Sequence, residues 1–493
     1  MVVCSLTEGR ISRDVLSRPL ADIAPRIVHL GLGAFARAHL AEYVRRVNDK
    51  RSNDPWLICG VSLRNPDVRD ALTPQQGVYT IIERDGPRDN PNDTFVLCDS
   101  LSEVLFAGDD AELIRERLAA AETQIISMTV TEKGYCRRAD GTLDVDSEDV
   151  SQDIQTLKKN PYGVVKTLPG WLAQAIIYRS TSAYPVTVIS LDNLPDNGQN
   201  LKQIVGEMLG LVNESAARWM GEGNVSFPGS VLDRIVPATT DVDRADVEAH
   251  LKFYDAWPIA TEPYNNWVLE DNFCSDQPNW REAGVTVVAD ATPFEEAKLR
   301  LLNGPHSFIA YLGQLTDLET VADVMRVETN RLAVHGFMEE AAQTLRMPTT
   351  FDVGAYQREI LARFDNVALQ HRTAQIAMDG SEKVPQRWLA VIEVLRERGE
   401  SVRFLAAALA IWTRYLEGVS ESGVELVISD PRTEQLTRIA ASNADQVATD
   451  VLTLLQSDLS KDEALISDVT RYYRLLADEG AGALIKELVT RTE

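Results

Sequence analysis

The sequence predicts an α/β N-terminal domain with an extended, mostly parallel sheet, followed by a mostly α-helical C-terminal domain. Short β-branched runs alternate with helical patterns through about the first 290 of the 493 residues. The stronger runs are almost continuously apolar, as strands covered on both faces are. From about Pro293 onward, apolar residues recur every three or four positions and strand signals nearly vanish. We therefore expect two domains, residues 1–290 and residues 291–493.

Seven runs in the N-terminal part have the composition of β-strands. Helical patterns lie between several of them, so we expect parallel strands joined by crossover helices. Two of the runs flank the turn-rich Asp85-Gly86-Pro87-Arg88 and are more typical of an antiparallel hairpin. The predicted strands are Arg26–Leu30, Trp56–Val61, Val78–Glu83, Thr94–Leu97, Gln124–Val130, Pro185–Leu191 and Gly284–Ala289.

The C-terminal part has helical periodicity almost throughout. Its longest apolar run, Phe404–Trp412, is far shorter than a membrane-spanning helix, so we expect a buried core helix there. The predicted helical segments are Phe294–Gly313, Leu318–Arg346, Pro385–Arg398, Val402–Gly418, Arg432–Leu455 and Leu465–Leu488.

The formal net charge of −25 narrows the class of partner. A nucleic-acid-binding protein needs a basic face, and anionic lipid attracts basic segments, so we expect neither partner and no membrane association. The five cysteines are scattered and lack a C-x-x-C pair, which argues against a disulfide framework. Residues 1–8 reach an acid too early for a secretory signal. We expect a cytoplasmic protein with a small-molecule substrate; its oligomeric state stays open, and a monomer fits.

The first predicted strand runs into a glycine-containing loop and then a helix. In Gly31-Leu32-Gly33-Ala34-Phe35-Ala36, Gly31 permits a tight turn and Gly33 permits close approach of a ligand. Ala36 takes the third small position, and Phe35 is predicted to contact the ligand from the same loop. Backbone amides at such a helix start receive a pyrophosphate, as in Rossmann-like domains. A purely structural strand-to-helix turn would have the same pattern.

A dinucleotide-binding sheet also needs an acid after its second strand to hold the adenosine ribose. Asp67, which follows the predicted strand Trp56–Val61, is the candidate and favours NAD. The nearby Arg64 leaves NADP open, and a surface aspartate in a loop would explain Asp67 equally well.

A candidate catalytic stretch opens the helical domain. At α-helical spacing Lys298 and Asn303 lie about 140° apart, and Lys298 and His306 about 80° apart. Gly304 and Pro305 are expected to bend or restart the helix, which would bring the three side chains towards one cavity. Burial can make a lysine a good proton donor, and an amide can stabilise a developing alkoxide. The same letters also fit a solvated lysine, a helix end and a core histidine.

Polar residues also follow two of the predicted strands. Asn193 comes after the apolar strand Pro185–Leu191, and Glu132 comes after Gln124–Val130. Ligands of open α/β sheets bind beyond the carboxyl ends of strands, so both residues are candidates for the site. Each also fits an ordinary helix or turn cap.

Taken together, these segments resemble the polyol-specific long-chain dehydrogenase/reductase family, which includes mannitol 2-dehydrogenases and fructuronate reductases (D-mannonate oxidoreductases). The resemblance covers nearly the whole chain and includes the family's lysine–asparagine–histidine spacing. Its blocks are Gly31–His39, Thr129–Tyr135, Leu191–Gly198, Val231–Pro237, Trp267–Phe273, Lys298–His306 and Asp379–Lys383.

The resemblance implies an NAD-dependent oxidoreductase acting on a CH–OH group. The resemblance also implies that Lys298 is the general acid/base and that Asn193 and Asn303 form the oxyanion hole. His306 then positions the substrate.

Three further residues receive supporting roles from the same resemblance. Asp233 assists in the surroundings of the lysine, Glu132 helps to relay protons, and Lys383 contacts the distal end of the substrate. The family uses no metal, and none is expected here, since the six histidines form no H-x-x-x-H pair.

The substrate is less sharply indicated. The segment His371–Ser381, with Gln375 where mannitol enzymes tend to carry an arginine, resembles fructuronate reductases. Against this, Glu262–Trp267 lacks an arginine often found there in uronate reductases, and Pro305 replaces a usual serine. We expect D-fructuronate/D-mannonate. A mannitol 2-dehydrogenase or an arabinitol dehydrogenase is the alternative within the class, and a non-catalytic NAD-binding sensor is the alternative outside it.

Overall fold

The computed structural model describes residues 9–16, 23–50, 54–86, 92–369 and 371–490. The described residues divide into two compact units. The first is drawn from residues 1–85 and 91–292, and the second from residues 86–90 and 293–493.

The first unit is built on a six-stranded sheet in which every neighbouring pair is parallel. The strand order is β5-β2-β1-β6-β7-β8, so the order reverses between β1 and β6. Such a reversal is the topological switch point at which open α/β sheets bind ligands. The strands of this sheet are β1 Ile27–Leu30, β2 Ile58–Ser62, β5 Leu101–Phe106, β6 Ile125–Met128, β7 Val186–Ser190 and β8 Val225–Ser226.

Two smaller sheets complete the strands of this unit. One has the order β10-β3-β4 and the other the order β12-β11-β9. The predicted hairpin is confirmed, because β3 and β4 pair antiparallel. Their strands are β3 Tyr79–Glu83, β4 Thr94–Cys98, β9 Ser230–Asp233, β10 Ile259–Thr261, β11 Asn266–Glu270 and β12 Thr286–Val288.

Helices cover the main sheet, and two apolar clusters bury its strands from either side. The α-helices of this unit are Ala34–Ala38, Leu40–Lys50, Asp67–Leu72, Ala111–Ala119, Glu148–Lys159, Leu168–Ser182, Asn197–Val212, Glu214–Trp219 and Asp241–Leu251. Shorter 3₁₀ turns are Thr73–Gln75, Glu132–Tyr135 and Trp280–Ala283, and a π-type turn spans Met220–Asn224.

The described part of the second unit is helical throughout. Its α-helices are Thr292–Lys298, Gly304–Leu315, Val321–Met325, Glu328–Ala342, Val353–Phe364, Thr373–Ile376, Gly380–Val384, Ala390–Glu397, Arg403–Tyr415, Thr433–Ala440, Val447–Leu454, Glu463–Glu479 and Ala481–Thr490. Two π-turns, Leu299–Asn303 and Pro385–Leu389, and two 3₁₀ turns, Val367–Leu369 and Asp458–Lys461, lie between them.

One apolar cluster forms the core of the second unit. Its central helices, Gly304–Leu315 and Arg403–Tyr415, are buried on almost every side, which explains why the run Phe404–Trp412 is apolar all round. Among the helices of the described ranges, none is both long and apolar enough to cross a membrane. The predicted fold class, an α/β unit followed by a helical one, is confirmed.

Candidate functional site

The two glycines of the loop after β1 differ in what surrounds them. Gly31 has a φ of +92°, and a Cβ there would collide with the backbone carbonyl of Thr129 at the end of β6. The protein itself therefore requires a glycine at this position. Gly33 has an ordinary φ of −100°, and a Cβ there would meet nothing closer than the Gly31 carbonyl oxygen at 3.8 Å. The space above Gly33 is open, so a ligand has room to approach the backbone there.

The buried His29 stabilises this loop through a hydrogen bond to Thr129. Thr129 Oγ1 donates a hydrogen bond to the Gly31 carbonyl at 2.7 Å, so it accepts from His29 Nε2 at 3.0 Å. His29 Nδ1 then accepts from Ser127 Oγ at 2.9 Å. Burial lowers the pKa of His29 to about 4, so the ring is neutral near pH 7, as this pattern requires. Sequence analysis missed His29, although a histidine inside an apolar strand is a visible signal.

The other predicted cofactor residues lie on the same edge of the first unit. Ala36 is buried in the short helix Ala34–Ala38, and Phe35 stacks on His39 with 5.1 Å between ring centroids. Asp67 is exposed in the first turn of the helix that follows β2, and Arg64 Nη2 donates to Thr131 Oγ1 at 3.2 Å. The cradle at the switch point, with an open Gly33, fits the pyrophosphate of a dinucleotide. The contacts of Phe35, Ala36 and Asp67 with a cofactor stay predictions.

Asn193 follows a rigid junction between the ends of β6 and β7. The buried Asp192 accepts from the backbone N–H of Val130 at 2.8 Å and from the Tyr135 hydroxyl at 2.7 Å. Burial raises the pKa of Asp192 to about 7. Asn197 Nδ2 donates to the Asp192 carbonyl at 3.1 Å, which fixes the loop from its other side. Asn193 itself is exposed.

Two further predicted residues also belong to the first unit. Glu132 is exposed and begins the 3₁₀ turn Glu132–Tyr135. Asp233 is buried at the end of β9, where it stands opposite Asn266 of β11.

The predicted catalytic stretch contains a π-turn. Helix Thr292–Lys298 passes into the π-turn Leu299–Asn303, in which the N–H of Gly304 bonds to the carbonyl of Leu299, and helix Gly304–Leu315 follows. An α-helical hydrogen bond spans four residues, whereas a π-type bond spans five. Residues five apart, such as Lys298 and Asn303, are therefore brought towards the same side. The expected separation of about 140° assumed an unbroken α-helix and is corrected by this turn.

The rest of the stretch continues along one face. Asn303 and His306 are three residues apart at the start of an α-helix and so are neighbours on its surface. Pro305 lies in the first turn of that helix, where a missing N–H is tolerated, so the replacement of serine fits the backbone. Lys298 and His306 are buried, and Asn303 is partly exposed.

His306 sits among cations. Its ring contacts Phe364 at 4.5 Å and His371 at 5.4 Å between centroids. Burial, and then the positive charges around it (His371 when protonated, Arg363, Arg387 and Lys298), hold the pKa of His306 well below its usual range. A neutral His306 can orient a hydroxyl without competing for the proton that a lysine transfers.

Lys383 and Gln375 lie near each other in the second unit. Lys383 Nζ donates at 3.3 Å to the carbonyl of Ile376, the last residue of the short helix that carries the exposed Gln375, and at 2.6 Å to the carbonyl of Met378. Burial and the charge of Arg387 lower the pKa of Lys383.

These features define a class of protein: an oxidoreductase with a dinucleotide-binding α/β unit and a helical unit that carries a buried lysine. The family models agree with it. The mannitol dehydrogenase Rossmann domain matches residues 25–282, and the mannitol dehydrogenase C-terminal domain matches residues 290–477. The chain belongs to the mannitol dehydrogenase family, and the predicted family and enzyme class are confirmed.

Individual relatives are similar over nearly their full length. The D-mannonate oxidoreductase of Escherichia coli strain K12 is 37% identical over 487 residues, which cover 96% of this chain and 98% of the relative. The ternary complex of Pseudomonas fluorescens mannitol 2-dehydrogenase with NAD and D-mannitol is 30% identical, with a TM-score of 0.81 over 98% of this chain and 100% of that one. A substrate-free D-sorbitol dehydrogenase is 27% identical, with a TM-score of 0.87 over 96% of this chain and 100% of that one.

Proposed function

We propose that this protein is a metal-independent, NAD-dependent dehydrogenase that interconverts a keto-sugar acid and its alcohol, with D-fructuronate and D-mannonate as the best candidates. In this proposal residues 1–290 bind the cofactor, and residues 291–493 bind the substrate and carry the proton-transfer lysine. The observation that carries the chemistry is the π-turn, which aligns Lys298 with Asn303 and, one helical step further, His306.

The dinucleotide, when bound, supplies or accepts the hydride. During reduction, Lys298 in its ammonium form donates a proton to the substrate oxygen as negative charge develops there. The amide N–H of Asn303 stabilises the same charge, and Asn193 is the proposed second amide donor. Neutral His306 orients the substrate hydroxyl. Oxidation reverses these steps, with Lys298 as the base.

Supporting roles follow the same proposal. Asp233 assists the lysine, Glu132 relays protons, and Lys383 and Gln375 contact the substrate away from the reacting carbon. Gly31, Gly33, Phe35 and Ala36 form the pyrophosphate cradle. Asp67 holds the ribose and favours NAD over NADP.

A cation-rich site favours a sugar acid over a neutral polyol. The whole chain has a net charge of −25, yet the positive charges of Lys298 and Arg363 both act on His306 in the second unit. A local positive field of this kind attracts a carboxylate. The similarity to the P. fluorescens mannitol enzyme keeps D-mannitol as a second candidate.

A substrate panel separates these candidates. NADH oxidation is followed with D-fructuronate and D-fructose, and NAD reduction with D-mannonate, D-mannitol, D-sorbitol and D-arabinitol. We expect the highest kcat/KM for the acid pair. A preference for D-fructose and D-mannitol would assign the protein to the polyol side, and absence of any turnover with retained NADH binding would favour the sensor.

The chemical role of Lys298 is tested by truncation. Lys298→Ala should lower kcat by about a hundredfold or more, because general acid/base catalysis contributes that much, and NADH affinity should stay unchanged. Asn303→Ala and Asn193→Ala should each cost about a hundred- to a thousandfold. The matched control is Lys461→Ala, an exposed lysine of the second unit that pairs with Asp458 at 2.7 Å. Near-normal turnover in folded Lys298→Ala would exclude this mechanism.

A further inference from the structure

The two π-turns of the second unit pack against each other. Arg387, in the π-turn Pro385–Leu389, donates through Nη1 to the backbone carbonyl of Asn303 at 3.0 Å and to Ser307 Oγ at 2.9 Å. The neighbouring Trp388 donates through Nε1 to the carbonyl of Gly304 at 3.0 Å. Two consecutive side chains therefore donate hydrogen bonds to two consecutive backbone carbonyls, at the point where the π-turn Leu299–Asn303 passes into an α-helix.

Arg387 holds this position without an acidic partner. Within the described residues no carboxylate lies in ion-pair range of its guanidinium, whereas Arg331 pairs with Asp365 at 2.6 Å and Arg396 with Asp462 at 2.7 Å. Enclosing a cation without an opposite charge costs free energy, and here burial lowers the pKa of Arg387 to about 10. The hydrogen bonds to the π-turn are what offset this cost.

The π-turn Leu299–Asn303 sets the angle between the side chains of Lys298 and Asn303 around the helix axis. If the π-turn relaxed to an α-helix, Lys298 and Asn303 would separate by about 140° around the helix axis. A donor fixed to the Asn303 carbonyl opposes that relaxation, because it holds the peptide unit whose N–H, that of Gly304, closes the turn.

We propose that Arg387 is a positioning residue that clamps the π-turn and thereby sets the placement of Asn303 relative to Lys298. This inference rests on the proposed function, in which these two side chains act on one substrate oxygen. Trp388 is the second arm of the clamp. Arg387 touches neither substrate nor cofactor in this assignment and acts through the Asn303 carbonyl and the Ser307 hydroxyl.

The test compares Arg387→Met and Arg387→Lys with a matched control. Arg387→Met removes both the donor and the charge, and Arg387→Lys keeps the charge but loses the planar fork. Arg396→Met removes an arginine of the same unit whose partner is Asp462. Kinetics are run well below the unfolding temperature of each variant, with NADH affinity measured by fluorescence titration.

We expect Arg387→Met to lower kcat by about ten- to a hundredfold, since small misplacements of reacting groups cost this much, with KM and NADH affinity nearly unchanged. Arg387→Lys should recover only part of the loss. Arg396→Met should lower the unfolding temperature and leave kcat intact. If Arg387→Met fails to fold, Trp388→Phe, which removes the indole donor and part of the buried ring, replaces it with the same expected loss of kcat.

Hydrogen–deuterium exchange over residues 299–308 makes the clamp testable without a substrate. Exchange there should be faster in Arg387→Met than in the wild type or Arg396→Met. Unchanged exchange would overturn the clamp, and faster exchange with unchanged kcat would overturn the positioning role. If the wild type turns over no member of the panel, the proposed function fails, and the clamp is then decided by exchange alone: faster exchange supports it and unchanged exchange overturns it.

Discussion

Two glycines, two positions apart in one loop, perform different tasks. The conformation of Gly31 and its closeness to Thr129 are demands of the fold. Gly33 has neither a positive φ nor a close neighbour, so nothing in the protein requires a glycine there. The requirement at Gly33 is expected to come from the cofactor, whose pyrophosphate needs the backbone within hydrogen-bond reach.

Alanine substitutions separate these two tasks. Gly33→Ala should leave stability within about 0.5 kcal/mol of the wild type and weaken NADH binding at least about tenfold. Gly31→Ala should destabilise the fold by about 1–3 kcal/mol, through its positive φ and the collision with Thr129. Urea unfolding and NADH fluorescence titration measure the two effects. Unaltered NADH binding in Gly33→Ala would remove the loop from the cofactor site.

The sequence indicates a candidate catalytic segment around Lys298, but it could not supply the local geometry. The apolar spacing predicts α-helical angles between Lys298, Asn303 and His306, because a π-turn has no distinctive local sequence pattern. The donors that support this turn, Arg387 and Trp388, come from more than eighty residues further along the chain. Only tertiary structure brings them to it.

A largely buried helix of the second unit, Arg403–Tyr415, depends on a carboxylate from another helix. Glu340, on helix Glu328–Ala342, accepts hydrogen bonds from the backbone N–H groups of Phe404 at 3.0 Å and Leu405 at 3.1 Å. These groups open helix Arg403–Tyr415, whose own N-cap residue, Val402, provides no side-chain cap. Glu340 therefore caps the N-terminus of this helix from a neighbouring helix.

This cap should make stability depend on pH. Burial raises the pKa of Glu340 from 4.5 to about 7, so between these values the folded state holds a proton that the unfolded state has lost. The contribution of Glu340 to the free energy of unfolding is then greatest below pH 4.5. It falls by up to about 3 kcal/mol as pH rises to 7 and changes little above that.

Glu340→Gln isolates this effect, because an amide does not titrate in this range. The difference in unfolding free energy between the wild type and Glu340→Gln, from urea titrations at pH 5 and pH 8, should shift against the wild type at pH 8. Other titrating groups cancel in the difference. An equal difference at both pH values would contradict the assigned ionisation of Glu340.

Strands and helices could be predicted from the sequence where the local apolar pattern determines them. All seven predicted strands are present, whereas β5 and β8–β11 were missed. β8 has only two residues and β10 three, and β9 and β11 pair with each other, as Leu232 does with Trp267. β5 has six residues, but Ser102 and Glu103 interrupt its apolar run. The single helix predicted over Leu465–Leu488 is divided at Gly480, whose φ is +83°. Apolar periodicity continues across that break, so the pattern alone conceals it.

Across the described part of both units, the excess of acidic residues does not gather into a metal site. The described ranges contain no group of three or more His, Cys, Asp or Glu side chains that could hold a metal ion. Many of their acids are engaged elsewhere: Asp365 and Asp462 bind arginines, Glu340 caps a helix, and Asp192 joins two strand ends.

Metal independence is therefore the prediction that tests the chemistry of the whole protein. A buried ammonium and amide N–H groups can together protonate and stabilise an oxyanion, which is the task a Lewis-acid metal performs in other dehydrogenases. Exhaustive dialysis against EDTA should leave kcat and KM unchanged on the substrate chosen by the panel, while a zinc-dependent dehydrogenase treated in parallel loses activity. Loss of turnover here, restored by adding Zn²⁺, would assign to a metal the polarising role given to Lys298 and Asn303, and the mechanism would have to be rebuilt around its ligands.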